Sequence, residues 1–265
     1  MRRSVNFTCE GETLVATLDE GDGSTGLLIV TGGRQTRIGP HRMMAMLAAQ
    51  LSAAGYPVFR FDRRGAGDSS GIDPGFRNSA PDIAAAATAF RSACPHIERL
   101  WGMGLCDGAS AIALHHGAAP FDGLILLNPW VIEASAGQPA PAAIRAHYRE
   151  RLLTLAGWRK LLTQGFSMKS AMNGIRSALS QSDQSLAHDV MASLAGFTGP
   201  IRILLAERDA TARAFRSVHE GKLGEQIRRS PRISLTSRNS ASHSFASGSD
   251  QVWLAALILA ALRTD

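Results

Sequence analysis

The stretch Arg99-Leu100-Trp101-Gly102-Met103-Gly104-Leu105-Cys106-Asp107-Gly108-Ala109-Ser110-Ala111-Ile112 decides how this chain is read. Arg99 to Met103 is expected to form a strand, Gly104 to Gly108 a tight turn, and Ala109 to His116 a helix. A side chain set between two glycines on a strand-to-helix turn is held in a strained conformation at the edge of a sheet, and small neighbours let the backbone fold closely around it. The central residue here is Cys106. It also stands where a helix begins, and the dipole there favours the thiolate, which is the reactive form. A free cysteine is often no more than a small buried residue. The paired glycines, the strand and helix on either side, and suitable partners downstream favour a nucleophile instead. Cys9 and Cys94 lack that setting and are read as structural.

The chain around this turn alternates strand and helix. A hairpin is expected about Glu10-Gly11, followed by strands at Gly26–Val30 and Pro57–Phe61 with a helix over Met43–Ala54 between them. Pro81–Ala93 reads as helix and Gly123–Leu127 as strand, closed by Asn128-Pro129. Alternation resumes with a strand at Ile201–Ala206, a helix at Thr211–Leu223, a strand at Arg232–Thr236 and a helix at Asp250–Leu262. Such a pattern predicts an α/β fold, a mostly parallel central sheet wrapped by helices on both faces. The alternation stops between residues 130 and 198, where the sequence reads as amphipathic helix. The expected organisation is a core domain of residues 1–129 and 199–265, with a helical cap inserted at 130–198. An insertion at a strand's C-terminal end would cover the edge where such sheets bind ligands.

A thiolate needs a base within hydrogen-bond reach and a third group to orient that base. On this type of sheet the partners follow the nucleophile in the order acid, then histidine. Asp209, in Leu204-Leu205-Ala206-Glu207-Arg208-Asp209, and His243, in Ser242-His243-Ser244-Phe245, both lie in loops beyond strand C-termini. Asp209 could equally be the N-cap of the following helix, and Glu207 is its rival. His41, near the Gly32-Gly33 loop, is the rival to His243; the other histidines fall in predicted helices or on the opposite edge. An acyl-transfer site also needs N–H donors for the oxyanion. These are expected from the backbone of Asp107 and of Gly33, with Arg34 as the alternative to Gly33. Asp62-Arg63-Arg64-Gly65-Ala66-Gly67-Asp68-Ser69 is read as structural, shaping the site without taking part in the chemistry.

These pieces resemble the α/β-hydrolase superfamily over nearly the full length. The resemblance rests on Thr31-Gly32-Gly33, DRRGAGDSSG at 62–71, GLCDG at 104–108, LLAERD at 204–209 and HSF at 243–245. More narrowly, VTGGRQTRIGPHR at 30–42, RFDRRGAGDSSG and the cysteine turn are similar to the exosortase A system-associated hydrolases of family 1, which are bacterial. The resemblance implies a hydrolase without naming a substrate. Thr31 stands where many relatives carry histidine, and cysteine replaces the usual serine, as in dienelactone hydrolases and some thioesterases and acyltransferases.

The expected activity is cleavage of an ester, thioester or lactone through a Cys106–His243–Asp209 triad and a covalent acyl-enzyme. The alternatives are an acyltransferase using the same residues and a catalytically silent scaffold. No cofactor and no metal are expected. The three cysteines include no CxxC pair and no metal-like spacing with histidine. The formal net charge is +6, with 28 Lys and Arg against 22 Asp and Glu. The basic residues are scattered and not interleaved with aromatics, so nucleic acid is not an expected partner; a small acyl substrate is, and the basic balance favours an anionic one. The longest apolar run, Trp253–Leu262, is too short to span a bilayer, and no apolar segment follows Arg2-Arg3 as in a secretory signal. A cytoplasmic protein is expected.

Overall fold

A computed structural model of the chain describes residues 1–132 and 181–263. Eight strands form one sheet: β1 (Arg2–Cys9), β2 (Glu12–Asp19), β3 (Thr25–Val30), β4 (Val58–Phe61), β5 (Arg99–Leu105), β6 (Gly123–Leu127), β7 (Ile201–Ala206) and β8 (Ile233–Arg238). Their order is β1-β2-β4-β3-β5-β6-β7-β8. The hairpin β1–β2 and the β2–β4 pair are antiparallel, and every pair from β4 through β8 is parallel. The helices are α1 (Met43–Ala53), α2 (Ala80–Ala93), α3 (Asp107–His115), α4 (Gln181–Gly196), α5 (Ala210–Glu220), the short α6 (Glu225–Arg228) and α7 (Gly248–Leu262). The expected alternation is therefore present, with β8 running two residues further than its apolar pattern and α3 starting directly after Cys106.

All six residues of β3, all four of β4 and all five of β6 are buried, as expected of strands covered on both faces. Alternate side chains of β5 divide between the two layers. Trp101, Met103 and Leu105 join a core with Leu47 and Leu51 of α1 and Leu254 and Ile258 of α7. On the other face, Gly102 lies against Ile112 of α3, and Gly26 of β3 against Phe90 of α2. Burial of these apolar side chains contributes about 1.5–3 kcal/mol each, and it fixes the register in which β5 delivers its C-terminal end to the turn at Cys106.

Charge also enters this interior. Arg60 of β4, almost fully buried, pairs with Asp19 at 2.8 Å. Asp62, wholly buried, accepts from the Arg37 backbone N–H at 2.5 Å and from the Asp68 N–H at 3.1 Å, and pairs with the Arg37 side chain. Arg64 pairs with Asp82 of α2 at 2.9 Å. Through these contacts the DRRGAGDS segment ties the end of β4 to the loop after β3 and to α2.

The chain divides into two compact units, Met1–Val131 with Val190–Asp265, and Ile132–Asp189. The cap expected at 130–198 falls mostly on residues 133–180, outside the described residues. No helix among the described residues is long and apolar enough to cross a membrane.

Backbone packs closely on backbone at the Cys106 turn. A Cβ on Gly108 would stand 2.6 Å from the Val30 carbonyl oxygen and 2.8 Å from the Thr31 carbonyl carbon. Backbone atoms cannot step aside as a side chain can, so Gly108→Ala is expected to cost about 3 kcal/mol and to lower Tm by roughly 10 °C in a thermal melt. Gly117→Ala, with nothing within 4 Å of its Cβ, serves as the control and should shift Tm by no more than about 2 °C. Equal melting of the two variants would contradict this packing.

Candidate active site

Cys106 links β5 to α3 with φ 62° and ψ −126°. A non-glycine residue held at positive φ costs on the order of 1–3 kcal/mol and persists only where its surroundings impose it. They do so here. The Cys106 N–H donates to the Leu127 carbonyl at 2.9 Å, and its own carbonyl accepts from the N–H groups of Ala109, Ser110 and Trp130 at 3.1–3.2 Å. The glycines on either side are required by contact. A Cβ on Gly104 would meet the Gly108 carbonyl at 2.4 Å. The Cys106 side chain is 1% exposed.

The strands β7 and β8 carry the two other predicted residues to the same edge. His243 Nδ1 lies 3.0 Å from Asp209 Oδ2. The same carboxylate oxygen accepts from the Ala212 N–H at 3.0 Å, so Asp209 is also the N-cap of α5. One carboxylate oxygen thus meets both the first turn of α5 and the His243 ring. Glu207, the rival acid, is half-exposed and faces Arg216 at 3.8 Å. His41, the rival base, is exposed, in a short 3-10 turn with φ 51°. A serine-rich loop sets His243 in place: Ser240 Oγ donates to Asp250, and the Ser242 and Ser247 hydroxyls accept from the N–H groups of Ala246 and Asp250. Phe245 is fully buried and stacks on Trp253 at 5.7 Å.

Burial pulls the His243 pKa down, but hydrogen bonding to Asp209 and Cys106 and attraction to both raise it from 6.5 to about 9. Its buried Nε2 has no oxygen or nitrogen partner; Cys106 is the group that acts on it from that side. Burial pushes the Asp209 carboxyl up, yet His243 and the N–H groups of Ala212 and Thr211 hold it below its ordinary value. Burial raises the thiols of Cys9 and Cys94, and neither has a histidine as a hydrogen-bond partner among the described residues.

The loop after β3 turns at Gly32–Gln35, closed by the Gln35 N–H on the Gly32 carbonyl at 3.1 Å. Both ends of Gly33 are occupied. Its N–H donates to Asp107 Oδ2 at 2.8 Å, and its carbonyl accepts from Arg63 Nη2 at 2.7 Å. The N–H expected to face an oxyanion is thus held by a carboxylate. Arg34 shares a trans peptide with the Gly33 carbonyl, so its N–H points away from Arg63. No backbone acceptor among the described residues engages the Arg34 or Asp107 N–H.

Sequence reasoning misses Asn128. Its side chain is fully buried, with φ 42°. Oδ1 accepts from the Ala206 N–H at 2.8 Å, and Nδ2 donates to the His243 carbonyl at 2.7 Å. One amide thereby joins the ends of β6 and β7 to the His243 loop. A signal for it exists: a polar residue closing an apolar strand on the edge that carries Cys106. That signal is ambiguous because Asn-Pro reads equally well as a turn.

A parallel sheet with a strained cysteine turn at its C-terminal edge, and an acid and a histidine hydrogen-bonded on the same edge, defines a class of nucleophile-turn α/β proteins. A family model described as the alpha/beta hydrolase family matches residues 28–257; the chain belongs to that family. No curated protein matches it in sequence. Among solved structures it is similar to the Pyrococcus furiosus esterase Pf2001, with 14% identity and TM-score 0.64 over 98% of this chain and 92% of the other. It is also similar to alpha/beta hydrolase domain-containing protein 10 from mouse, with 16% identity and TM-score 0.61 over 98% of each chain. The thioesterase domain from the curacin biosynthetic pathway shows 14% identity and TM-score 0.61, over 98% of this chain and 99% of the other. At these identities the likeness is one of fold.

The raised His243 pKa has two readable consequences. Relative to an unfolded value near 6.5, a folded value of about 9 contributes stability that is complete below pH 6.5 and is lost as pH rises through 9. In a proton NMR titration the His243 ring should therefore show a midpoint of about 9. Cys106→Ala removes one of the two groups that raise it, and the midpoint should move down. An unchanged midpoint in that variant would show that thiol and imidazole do not interact.

Proposed function

We propose that the protein is an acyl hydrolase cleaving esters, thioesters or lactones, with Cys106 as nucleophile, His243 as acid and base, and Asp209 as the group that orients His243. The observation that carries this reading is the His243 Nδ1 to Asp209 Oδ2 contact of 3.0 Å, on an imidazole whose pKa is raised by Asp209 and by Cys106.

The first step joins Cys106 Sγ to the substrate's carbonyl carbon and places the charge on its oxygen. The Asp107 backbone N–H is one donor to that oxyanion. For the loop donor we choose Arg34 over Gly33, because Gly33 is already bonded to Asp107, and because Arg63 donating to the Gly33 carbonyl polarises the peptide whose N–H belongs to Arg34. Collapse of the tetrahedral adduct breaks the bond to the leaving oxygen or sulfur, which takes the proton from the His243 imidazolium. The acylated sulfur carries no charge, so one support for the high His243 pKa is gone and the ring is free to act as a base. It removes a proton from water, the hydroxide oxygen bonds to the acyl carbon, and the carboxylic acid leaves as Cys106 thiolate re-forms beside protonated His243. Asp209 holds the tautomer in which Nε2 faces the sulfur.

Within the family, the segments at 30–42, 60–71 and 104–108 favour a place with the exosortase A system-associated hydrolases. The insertion at 130–198 is assigned, from its sequence, the selection of the acyl group. The esterase and thioesterase among the similar folds agree with an acyl substrate.

Intact-mass measurement across ester, thioester and lactone probes tests the assignment. Wild type should accumulate a single acyl adduct that maps to Cys106, and Cys106→Ala should show neither adduct nor turnover while keeping its circular dichroism. Turnover within a few-fold of wild type in folded Cys106→Ala would exclude the nucleophile.

A further inference from the structure

Gly33 is held between two opposite charges. Arg63, 1% exposed, donates from Nη2 to its carbonyl at 2.7 Å. Asp107 accepts its N–H on Oδ2 at 2.8 Å. The remaining polar atoms of both side chains, Arg63 Nε and Nη1 and Asp107 Oδ1, are buried with no hydrogen-bond partner. The neighbouring arginines are satisfied differently: Arg60 pairs with Asp19, Arg37 with Asp62, and Arg64 with Asp82, each by direct contact. Among the described residues Arg63 and Asp107 form no ion pair, with each other or with any other group. A buried charge without compensation is costly and calls for an explanation. Here the compensation runs through one residue, since each charge meets the end of Gly33 that is of opposite polarity.

We infer that Asp107 and Arg63 form a charged clamp across Gly33 and are positioning residues that aim the Arg34 N–H at the oxyanion. The inference rests on the reading of Cys106 as an acyl-transfer nucleophile. Gly33 has φ 55°, and a glycine has no side chain to hold it in one conformation. Asp107 fixes the peptide before its Cα and Arg63 the peptide after it, so the two dihedrals between them are set. The second peptide is planar, with the Gly33 carbonyl on one side and the Arg34 N–H on the other. The bond from Arg63 therefore sets the direction of that N–H. Hydrogen bonds to charged groups are shorter and stronger than neutral ones, which suits a donor that must be aimed before charge develops on the substrate. The Asp107 carboxylate also lies so close to Gly32 that a Cβ there would strike Oδ1, so one group braces both glycines of the loop. Asp107 directly follows Cys106 and serves the oxyanion twice: with its own N–H, and through its side chain by ordering the loop that brings the second donor.

The test compares two reactions of Cys106. Acylation by 4-nitrophenyl acetate joins sulfur to the carbonyl carbon through an oxyanion and expels 4-nitrophenolate. Alkylation by iodoacetamide joins sulfur to a saturated carbon, expels iodide and forms no oxyanion. Arg63→Gln keeps amide donors and loses the charge. It should slow acylation about tenfold or more, part of the loss that follows removal of an oxyanion donor, and change alkylation by no more than about twofold. Arg63→Lys, which restores the charge, should recover part of the acylation rate. Equal acylation in wild type and Arg63→Gln would overturn the inference. So would acylation and alkylation falling together, which is what a merely structural role produces. Pairing across Gly33 is read in thermal melts. Asp107→Asn and Arg63→Gln each leave one buried charge uncompensated, so the double variant should lose less in Tm than the sum of the two; additive losses would overturn the clamp. If Arg63→Gln does not fold, Asp107→Asn takes its place: slower acylation with unchanged alkylation supports the clamp, and unchanged acylation overturns it. The reading of Cys106 is judged separately. Turnover in folded Cys106→Ala removes the nucleophile, whereas an acyl adduct on Cys106 that forms equally fast with and without the Arg63 charge removes the clamp alone.

Discussion

Backbone pressed on backbone at the Cys106 turn is the constraint from which the rest of the site follows. Gly108 lies so close to Val30, Thr31 and Gly32 that α3 can begin only in contact with the loop after β3. That contact brings the end of β5 and the loop after β3 together. It leaves Cys106 at φ 62°, a conformation offset by the three N–H groups that converge on its carbonyl and the bond from its own N–H to Leu127. The parallel register of β5, β6, β7 and β8 then brings Asn128, Asp209 and the His243 loop to the same edge. Each catalytic candidate is placed by a strand end, and the strand ends are placed by apolar burial.

Electrostatics within this frame is organised by pairing. Most buried charges near the site have a partner of opposite sign, and the imidazole of His243 lies between Asp209 and Cys106. Its charge state depends on both. With the sulfur free it is held protonated well above its ordinary range, suited to giving a proton to a leaving group. In the proposed acyl-enzyme one support would be removed, and the same ring would suit the removal of a proton from water. The Asp107 carboxylate on the Gly33 N–H gives the loop a fixed shape before substrate arrives, which is why Arg34 becomes the proposed donor.

The sequence is most informative where chemistry and geometry impose the same residue. Gly104 and Gly108 are glycines because no Cβ fits, and that makes the turn legible. The strands β3, β4 and β6 are legible because burial on both faces demands unbroken apolar runs. Asp209 can be placed, but its two functions look like competitors, since a one-dimensional reading cannot show a single oxygen accepting from both Ala212 and His243. The engagement of Gly33 by Asp107 and Arg63 is hidden for a related reason. Those residues are 74 and 30 positions away from it, and nothing in the local pattern of either marks a side chain that reaches back to a loop. Asn128 is visible as a residue and ambiguous as a role.

The central claim is that Cys106, unlike the other two cysteines, is activated by a histidine. The most direct measurement is the rate at which each cysteine reacts with a small alkylating agent at neutral pH, resolved by peptide mass. Burial raises the thiols of Cys9 and Cys94, so both should react sluggishly. Cys106 should react on the order of tenfold faster or more, and His243→Ala should remove most of that advantage. Slow labelling at all three positions, or a Cys106 rate that is indifferent to His243, would contradict the account.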